Sequence, residues 1–146
     1  MTHTFLLRPE QWSAYGRFFD ARYRLEGARG ELQVRHEPLV WTIQGWLELE
    51  DSKQRLDLAC SVAPSKGGCA ASWFWVHPKL GKFEGVFELG GRRMFSTFRS
   101  ADGLHAGQVT FTQKDERAYL VEGELRREGA IVGSWELALR RPQPAG

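Results

Sequence analysis

Three histidines are the side chains of this sequence with the widest range of chemistry. Strand alternation gives His36 and His105 the parity of a buried face, and it gives His77 the parity of Trp73 and Trp75. A buried histidine in a cavity can act as a base, an acid or an anchor for a ligand. His36 and His77 both lie at the ends of predicted strands, where a hydrogen-bonded or solvated histidine is the simpler interpretation.

A set of aromatic residues shares the parity of the buried face. In a tightly packed protein these rings are core, whereas in a wide barrel they line a cavity for an apolar or aromatic ligand. Both interpretations stay open at this stage. The set comprises Trp41, Trp73, Trp75, Phe83, Phe87, Phe98, Phe111, Tyr119 and Trp135.

The motifs of several enzyme classes do not occur in the sequence. There is no nucleophile elbow, phosphate loop, dinucleotide glycine fingerprint or zinc-protease motif. Almost every carboxylate in a predicted strand alternates outward, so a pair of catalytic carboxylates in the interior is not expected. No residue cluster predicts a metal site or a bound cofactor.

The two cysteines, Cys60 and Cys69, flank a turn-like PSKGG segment. They could face each other across a hairpin and form a disulfide. Two reduced thiols are the favoured interpretation, because thiols of cytosolic proteins stay reduced.

Charge and hydropathy narrow the classes of partner. The 146 residues carry a formal net charge of +2, without a block of like charges, which argues against a nucleic-acid partner. No apolar run approaches the ~20 residues of a membrane-spanning helix. The run Phe5–Leu7 is shorter than the core of a signal peptide, so we expect a cytoplasmic protein.

The stretch Leu39–Glu50 shows the pattern that organises the chain. Apolar residues at every second position predict a strand with one buried face. Similar stretches recur every ten to thirteen residues, separated by turn signals. Ten strands are predicted: Phe18–Glu26, Gly30–Glu37, Leu39–Glu50, Gln54–Ala63, Ala70–His77, Lys82–Leu89, Arg92–Ser100, Leu104–Gln113, Arg117–Arg127 and Ala130–Arg140.

Short links and mid-strand glycines predict an all-β, single antiparallel up-and-down barrel of about 8–10 strands. The glycines, which would curve the strands, are Gly45, Gly85, Gly107, Gly123 and Gly133. Residues 9–20, with Trp12, Tyr15 and Phe19 at helical spacing, predict a short N-terminal helix. We expect one domain over 1–146, with strands in 18–140 and a flexible tail at 141–146.

Trp46, Phe74 and Val76 are apolar side chains with outward parity that could form one patch. Exposed aromatic residues in a patch are typical of an interface, which predicts a homodimer. Cover by the N-terminal helix is the alternative.

The layout of a short N-terminal helix, a meander of strands and a basic terminal strand resembles the calycin group, which includes lipocalins, fatty-acid-binding proteins and nitrobindin-like barrels. Trp12 followed by Gly16 is the nearest feature to the lipocalin Gly-x-Trp motif. In nitrobindin-like proteins a histidine toward the C-terminus holds haem. The last histidine here is His105, so the resemblance implies the barrel without the haem.

These observations favour a binding protein for an apolar or aromatic small molecule in the barrel lumen. An isomerase or cyclase that uses the same cavity is one alternative, and a packed barrel that acts as a structural or interaction module is another. The candidate ligand-binding residues are His36, Trp41, Trp75, Phe87, His105, Phe111, Tyr119 and Trp135.

Overall fold

A computed structural model describes residues 2–142 as ten antiparallel β-strands closed into a barrel. Each strand pairs with the next along the chain, and β1 pairs with β10 to close the ring. The all-β antiparallel barrel predicted from the sequence is therefore confirmed. The strands are β1 (Gln11–Asp20), β2 (Leu25–His36), β3 (Trp41–Leu49), β4 (Arg55–Pro64), β5 (Ala70–His77), β6 (Gly81–Gly90), β7 (Arg93–Ser100), β8 (His105–Asp115), β9 (Ala118–Arg127) and β10 (Ala130–Arg140).

The predicted helix over 9–20 is wrong, because this stretch is β1. Trp12 and Ala14 are buried, whereas Tyr15 is 67% exposed on the outer face. The small side chains of Ala14 and Gly16 hide the period-two pattern, and the spacing of the larger rings then imitates a helix. Pairing with both β2 and β10 makes this stretch a strand.

The predicted first strand Phe18–Glu26 is also wrong, because the chain turns between Asp20 and Leu25. Tyr23 has a φ of 60° in this turn, a conformation that no strand residue adopts. The Asp20 side chain accepts hydrogen bonds from the N–H groups of Arg22 and Arg24, which stabilises the turn.

Residues Thr2–Glu10 form neither helix nor strand but close one end of the barrel, and we call them the N-terminal plug. Phe5 and Leu6 are almost completely buried there. The Phe5 ring stacks on Phe111 with a centroid separation of 5.1 Å and packs edge-on against Trp12. We call the opposite end, where β1 ends and β2 begins, the mouth.

The barrel wall is uneven between β4 and β5. Their ladder joins only Ser61–Pro64 to Ala71–Phe74, whereas the neighbouring β3–β4 and β5–β6 ladders each join eight pairs. Toward the mouth β4 and β5 therefore run on without pairing to each other. We call this region the β4–β5 seam.

The predicted flexible tail 141–146 begins with a residue that is held in place. The Arg141 N–H donates to the Arg117 carbonyl, and its Nε lies 2.8 Å from Glu10 Oε2. The remainder of the predicted tail, 143–146, lies outside the described residues. Within 2–142, no helix has the length and apolarity to cross a membrane.

Candidate ligand-binding site

Two of the predicted site residues hold the plug. The Nε2 of His36 lies 2.8 Å from the Leu6 carbonyl oxygen, and its ring stacks on Trp41 at 3.9 Å. The carbonyl is an acceptor, so His36 donates from Nε2. His36 and Trp41 therefore lie at the plugged end, where His36 is already engaged by the chain itself.

Tyr119 also belongs to the plug. Its hydroxyl oxygen accepts from the N–H of Thr4 at 3.0 Å and of Phe5 at 3.4 Å, and it lies 2.8 Å from His3 Nδ1. Burial raises the pKa of the Tyr119 hydroxyl above its ordinary value, and the backbone donors partly offset this effect. Phe111, beneath Phe5, completes this end.

The other predicted site residues lie deeper or nearer the mouth. Phe87 is 4% exposed and packs against both Phe111 and Trp73, so it forms the boundary between the plugged end and the lumen. Trp135 and Trp75 are only partly buried. The structure thus divides the eight predicted residues between two regions of the barrel.

Three aromatic rings pack against glycines of the neighbouring strand. Trp73 faces Gly85, Phe98 faces Gly107 and Trp135 faces Gly123 directly across their ladders. In each pair the ring occupies the space that a side chain on the glycine would fill. Glycine at these positions thus leaves room for three large rings inside the barrel.

Most apolar side chains that point inward near the mouth are partly exposed, although Phe83 there is only 3% exposed, whereas most at the plugged end are buried. Val34, Val62, Met94 and Leu139, at or next to the plugged end, are at most 1% exposed. The partly exposed inward residues nearer the mouth include Leu47, Leu49, Leu56, Leu58, Trp75, Phe98 and Leu125. Solvent therefore reaches the mouth half of the lumen.

A pocket of about 300 Å³ opens at the mouth between the β1–β2 and β3–β4 turns. Phe18, Leu25 and Leu49 supply its apolar surface, and Arg24 and Glu26 lie at its edge. A second depression, of about 350 Å³, is a groove on the outer wall over Gly16. The first of the two is lined in part by Phe18 and Leu49, which have inward parity.

Two histidines flank Phe83 near the mouth. The ring of His77 lies 6.4 Å from the Phe83 ring, and the ring of His105 lies 6.2 Å from it on the other side. His77 Nδ1 accepts the N–H groups of Lys79 and Leu80 at 3.0 and 3.1 Å. Burial, followed by the charges of Lys79 and His105, lowers the pKa of His77.

His105 differs from His77 in having a buried ring nitrogen without a hydrogen-bond partner in residues 2–142. Its side chain is 8% exposed, and its Nδ1 is buried without a partner among the described residues. Its own N–H donates to Ser100 Oγ at 3.0 Å, which fixes the backbone. A buried unpartnered polar atom costs stability and is a common feature of functional sites. The inward parity of His105 was the signal for it in the sequence.

Residues 2–142 contain no group of three or more His, Cys, Asp or Glu that could hold a metal ion. Cys60 and Cys69 are free thiols. Burial raises the pKa of the Cys60 thiol to about 12, so it is protonated at neutral pH, whereas Cys69 is exposed in the β4–β5 hairpin.

The predicted interface residues are exposed to different degrees. The guanidinium of Arg55 lies 4.8 Å from the Trp46 ring centroid, and Lys82 Nζ lies 4.8 Å from that of Phe74. Phe74 is 45% and Val76 61% exposed. Because the helix does not exist, it cannot cover this patch; long cationic side chains cover part of it instead.

No protein-family model matches the sequence, and no curated protein matches it. Among solved structures, the S-type phycobiliprotein lyase CPES from Guillardia theta is similar, with a TM-score of 0.64 at 6% identity. The match covers 94% of this chain and 89% of that chain. At this identity the likeness concerns the fold alone. Together with the closed antiparallel barrel, it confirms that the chain has a calycin-like β-barrel fold.

Proposed function

We propose that this protein binds an apolar or aromatic small molecule in the mouth half of its barrel. The observation that supports the proposal most strongly is the partial exposure of inward leucines and tryptophans near the mouth. Exposed apolar surface costs about 25 cal/mol per Å² relative to buried surface. A ligand that covers these side chains regains that free energy.

The proposed site uses only part of the residue set predicted from the sequence. Trp75 and Trp135 offer ring surfaces to the ligand, Phe87 forms the floor, and His105 supplies a polar contact. Four other residues instead maintain the plug beneath that floor. His36, Phe111 and Tyr119 contact residues 4–6, and Trp41 stacks on His36.

The name of the structural neighbour supports one choice of ligand. A barrel of similar shape is a phycobiliprotein lyase. A bilin therefore belongs in the panel of test ligands, beside fatty acids, haem, flavins and aromatic metabolites.

Substitution of Leu58 by Trp tests the proposal, with Ala59→Trp as the matched control. Leu58 points inward and is partly buried, whereas its neighbour Ala59 is exposed on the outer face. An indole at position 58 would occupy the space intended for the ligand. We expect Leu58→Trp to weaken binding of the fluorescent reporter N-phenylnaphthylamine roughly tenfold, about 1.4 kcal/mol, and Ala59→Trp to leave it unchanged.

Two outcomes contradict the proposal. One is that the wild-type protein binds neither the reporter nor any ligand of the panel in thermal-shift measurements and native mass spectrometry. The other is that Leu58→Trp lowers the free energy of unfolding by about 1–3 kcal/mol without affecting ligand binding, as expected of an overfilled, solid core.

The two alternative functions have less support. An isomerase or cyclase needs a polar pair that reaches its substrate, but His3 of the Tyr119–His3 pair is part of the plug itself. A homodimer through Trp46, Phe74 and Val76 stays a prediction, and so does the cytoplasmic location. The partial cover of Trp46 and Phe74 by cations reduces the apolar surface available for such an interface.

A further inference from the structure

Two carboxylates at the mouth are committed to the turns that carry them. Asp20 accepts the N–H groups of Arg22 and Arg24 at 2.8 and 3.0 Å. Glu26 accepts the N–H of Ser52. These backbone donors hold the pKa of both carboxyl groups below their ordinary values. Neither group depends on a ligand for its hydrogen bonds.

A third carboxylate, that of Asp102, is committed in the same way. Its Oδ1 accepts the Ser100 hydroxyl at 2.5 Å and the Leu104 N–H at 3.0 Å. The Ser100 hydroxyl, followed by the Leu104 N–H, lowers the pKa of Asp102. Asp102 is thus a structural acceptor within the β7–β8 turn. A positive charge on nearby His105 also contributes to its lowered pKa.

The basic groups on the adjacent strand ends have no such commitment. Arg127 lies directly opposite His105 in the β8–β9 ladder and has the same parity, but at the strand end it is exposed. None of the ion pairs within residues 2–142 includes Arg127. His105 Nδ1 has no partner either. Arg127 and His105, which are neighbours at the mouth, thus each have hydrogen-bonding groups without a partner in residues 2–142.

In its neutral form, His77 provides a third hydrogen-bond donor near His105. Because two backbone N–H groups donate to its Nδ1, the proton of the neutral ring resides on Nε2. His77 and His105 lie on either side of Phe83. The ammonium of Lys79, which contributes to the lowered pKa of His77, places a further positive charge close by.

We infer that the luminal ligand carries a carboxylate, which binds at the mouth between Arg127 and His105. The inference rests on the proposed function. A carboxylate accepts hydrogen bonds from the exposed Arg127 guanidinium and from His105 Nδ1, in the tautomer that carries its proton on that nitrogen. Charge-assisted bonds of this kind are about twice as strong as neutral ones. The apolar body then extends into the lumen past Trp75 and Trp135. The ligand class is an amphipathic monocarboxylate.

Displacement of N-phenylnaphthylamine by dodecanoate and by dodecanol tests the inference near neutral pH, where the acid is ionised. The two competitors share an apolar chain and differ in the end group. We expect the wild-type protein to prefer the acid roughly tenfold, about 1.4 kcal/mol, and Arg127→Gln to bring the two affinities within about twofold of each other. The preference is the ratio of the two affinities, so a substitution that changes both affinities equally leaves it unchanged.

Arg99→Gln is the matched control. Arg99 is an exposed arginine near the same end of the barrel, but on the outer face of β7. Loss of its charge should leave the preference at the wild-type value. If Arg99→Gln removes the preference as Arg127→Gln does, overall charge is responsible and the inference is wrong.

The outcomes separate this inference from the proposed function. Reporter binding with equal affinities for dodecanoate and dodecanol would overturn the carboxylate site but leave the luminal binding proposal intact. Persistence of the preference in Arg127→Gln would do the same. Absence of binding for the reporter and both competitors would overturn both proposals.

Discussion

One oxygen atom, the Tyr119 hydroxyl, connects the plug to the barrel. It is hydrogen-bonded to the side chain of His3 and to the N–H groups of Thr4 and Phe5. Residues 3–5 have no strand partner that could replace these bonds. The hydroxyl therefore substitutes for part of a β-ladder, which explains why a tyrosine, and not a phenylalanine, suits this position.

Removal of this hydroxyl by Tyr119→Phe should destabilise the protein. Buried donors of the plug would lose their acceptor, at a cost of about 1–3 kcal/mol. Urea unfolding monitored by tryptophan fluorescence measures the change. Tyr15→Phe is the control, because Tyr15 is exposed on the same barrel and should change the free energy of unfolding by at most about 0.5 kcal/mol.

Strand alternation predicted which faces of the barrel residues occupy but not which end. Val34, Val109 and Leu139 are buried as the period-two pattern indicated. The sequence could not reveal that Tyr119 contacts a residue 116 positions away, or that His36 contacts one 30 positions away. The plug has no periodic pattern. Its contacts form only once the barrel is closed, so the local sequence could not predict them.

Among the strands, β1 shows why the alternation of apolar and polar residues can fail to reveal a strand. Its inward positions pass from Trp12 through Ala14 and Gly16 to Phe18. Two small side chains in sequence weaken the alternation on which strand prediction depends. A Cβ on Gly16 would meet the backbone of Glu136, so close approach of β10 requires glycine there. The glycine that allows β10 to approach β1 closely thus also weakens the alternation by which β1 could be predicted.

His3 in the plug and His77 near the mouth should together make the free energy of unfolding depend on pH. Burial lowers the pKa of His3, and burial with nearby positive charge lowers that of His77. The unfolded chain then binds more protons than the native protein below about pH 6.5. Stability should be fully present above that pH and fall as the pH decreases.

Urea unfolding between about pH 7.5 and 5 measures this effect before most carboxylates protonate, near pH 4. We expect His3→Gln to reduce the pH dependence and His3→Gln with His77→Gln to reduce it further. An unchanged slope in the double variant would mean that other groups govern the acid response.

For the molecule as a whole, the β4–β5 seam is where closure of the barrel is weakest. Four residue pairs join these strands, against seven to ten in the other ladders. The sequence predicted both strands but could not predict the seam. The alternation of apolar and polar residues indicates a strand, but it does not show over what length that strand pairs with its neighbour. Cys60 lies on β4 at the position where the pairing stops.

Hydrogen exchange should locate the seam directly. Local opening occurs where backbone hydrogen bonds are fewest, and the amides in Arg55–Ala59 and Trp75–His77 that point toward the seam lack a partner strand. We expect these amides to exchange faster than those of the β9–β10 ladder in NMR-detected measurements. The remaining amides of the same segments, which point toward β3 and β6, are the internal control. Equal protection on both sides would mean that the seam is closed by hydrogen bonds in solution and that the wall is continuous. Faster exchange confined to the seam side would mean that the barrel opens first beside the mouth, next to the side chains proposed to receive the ligand.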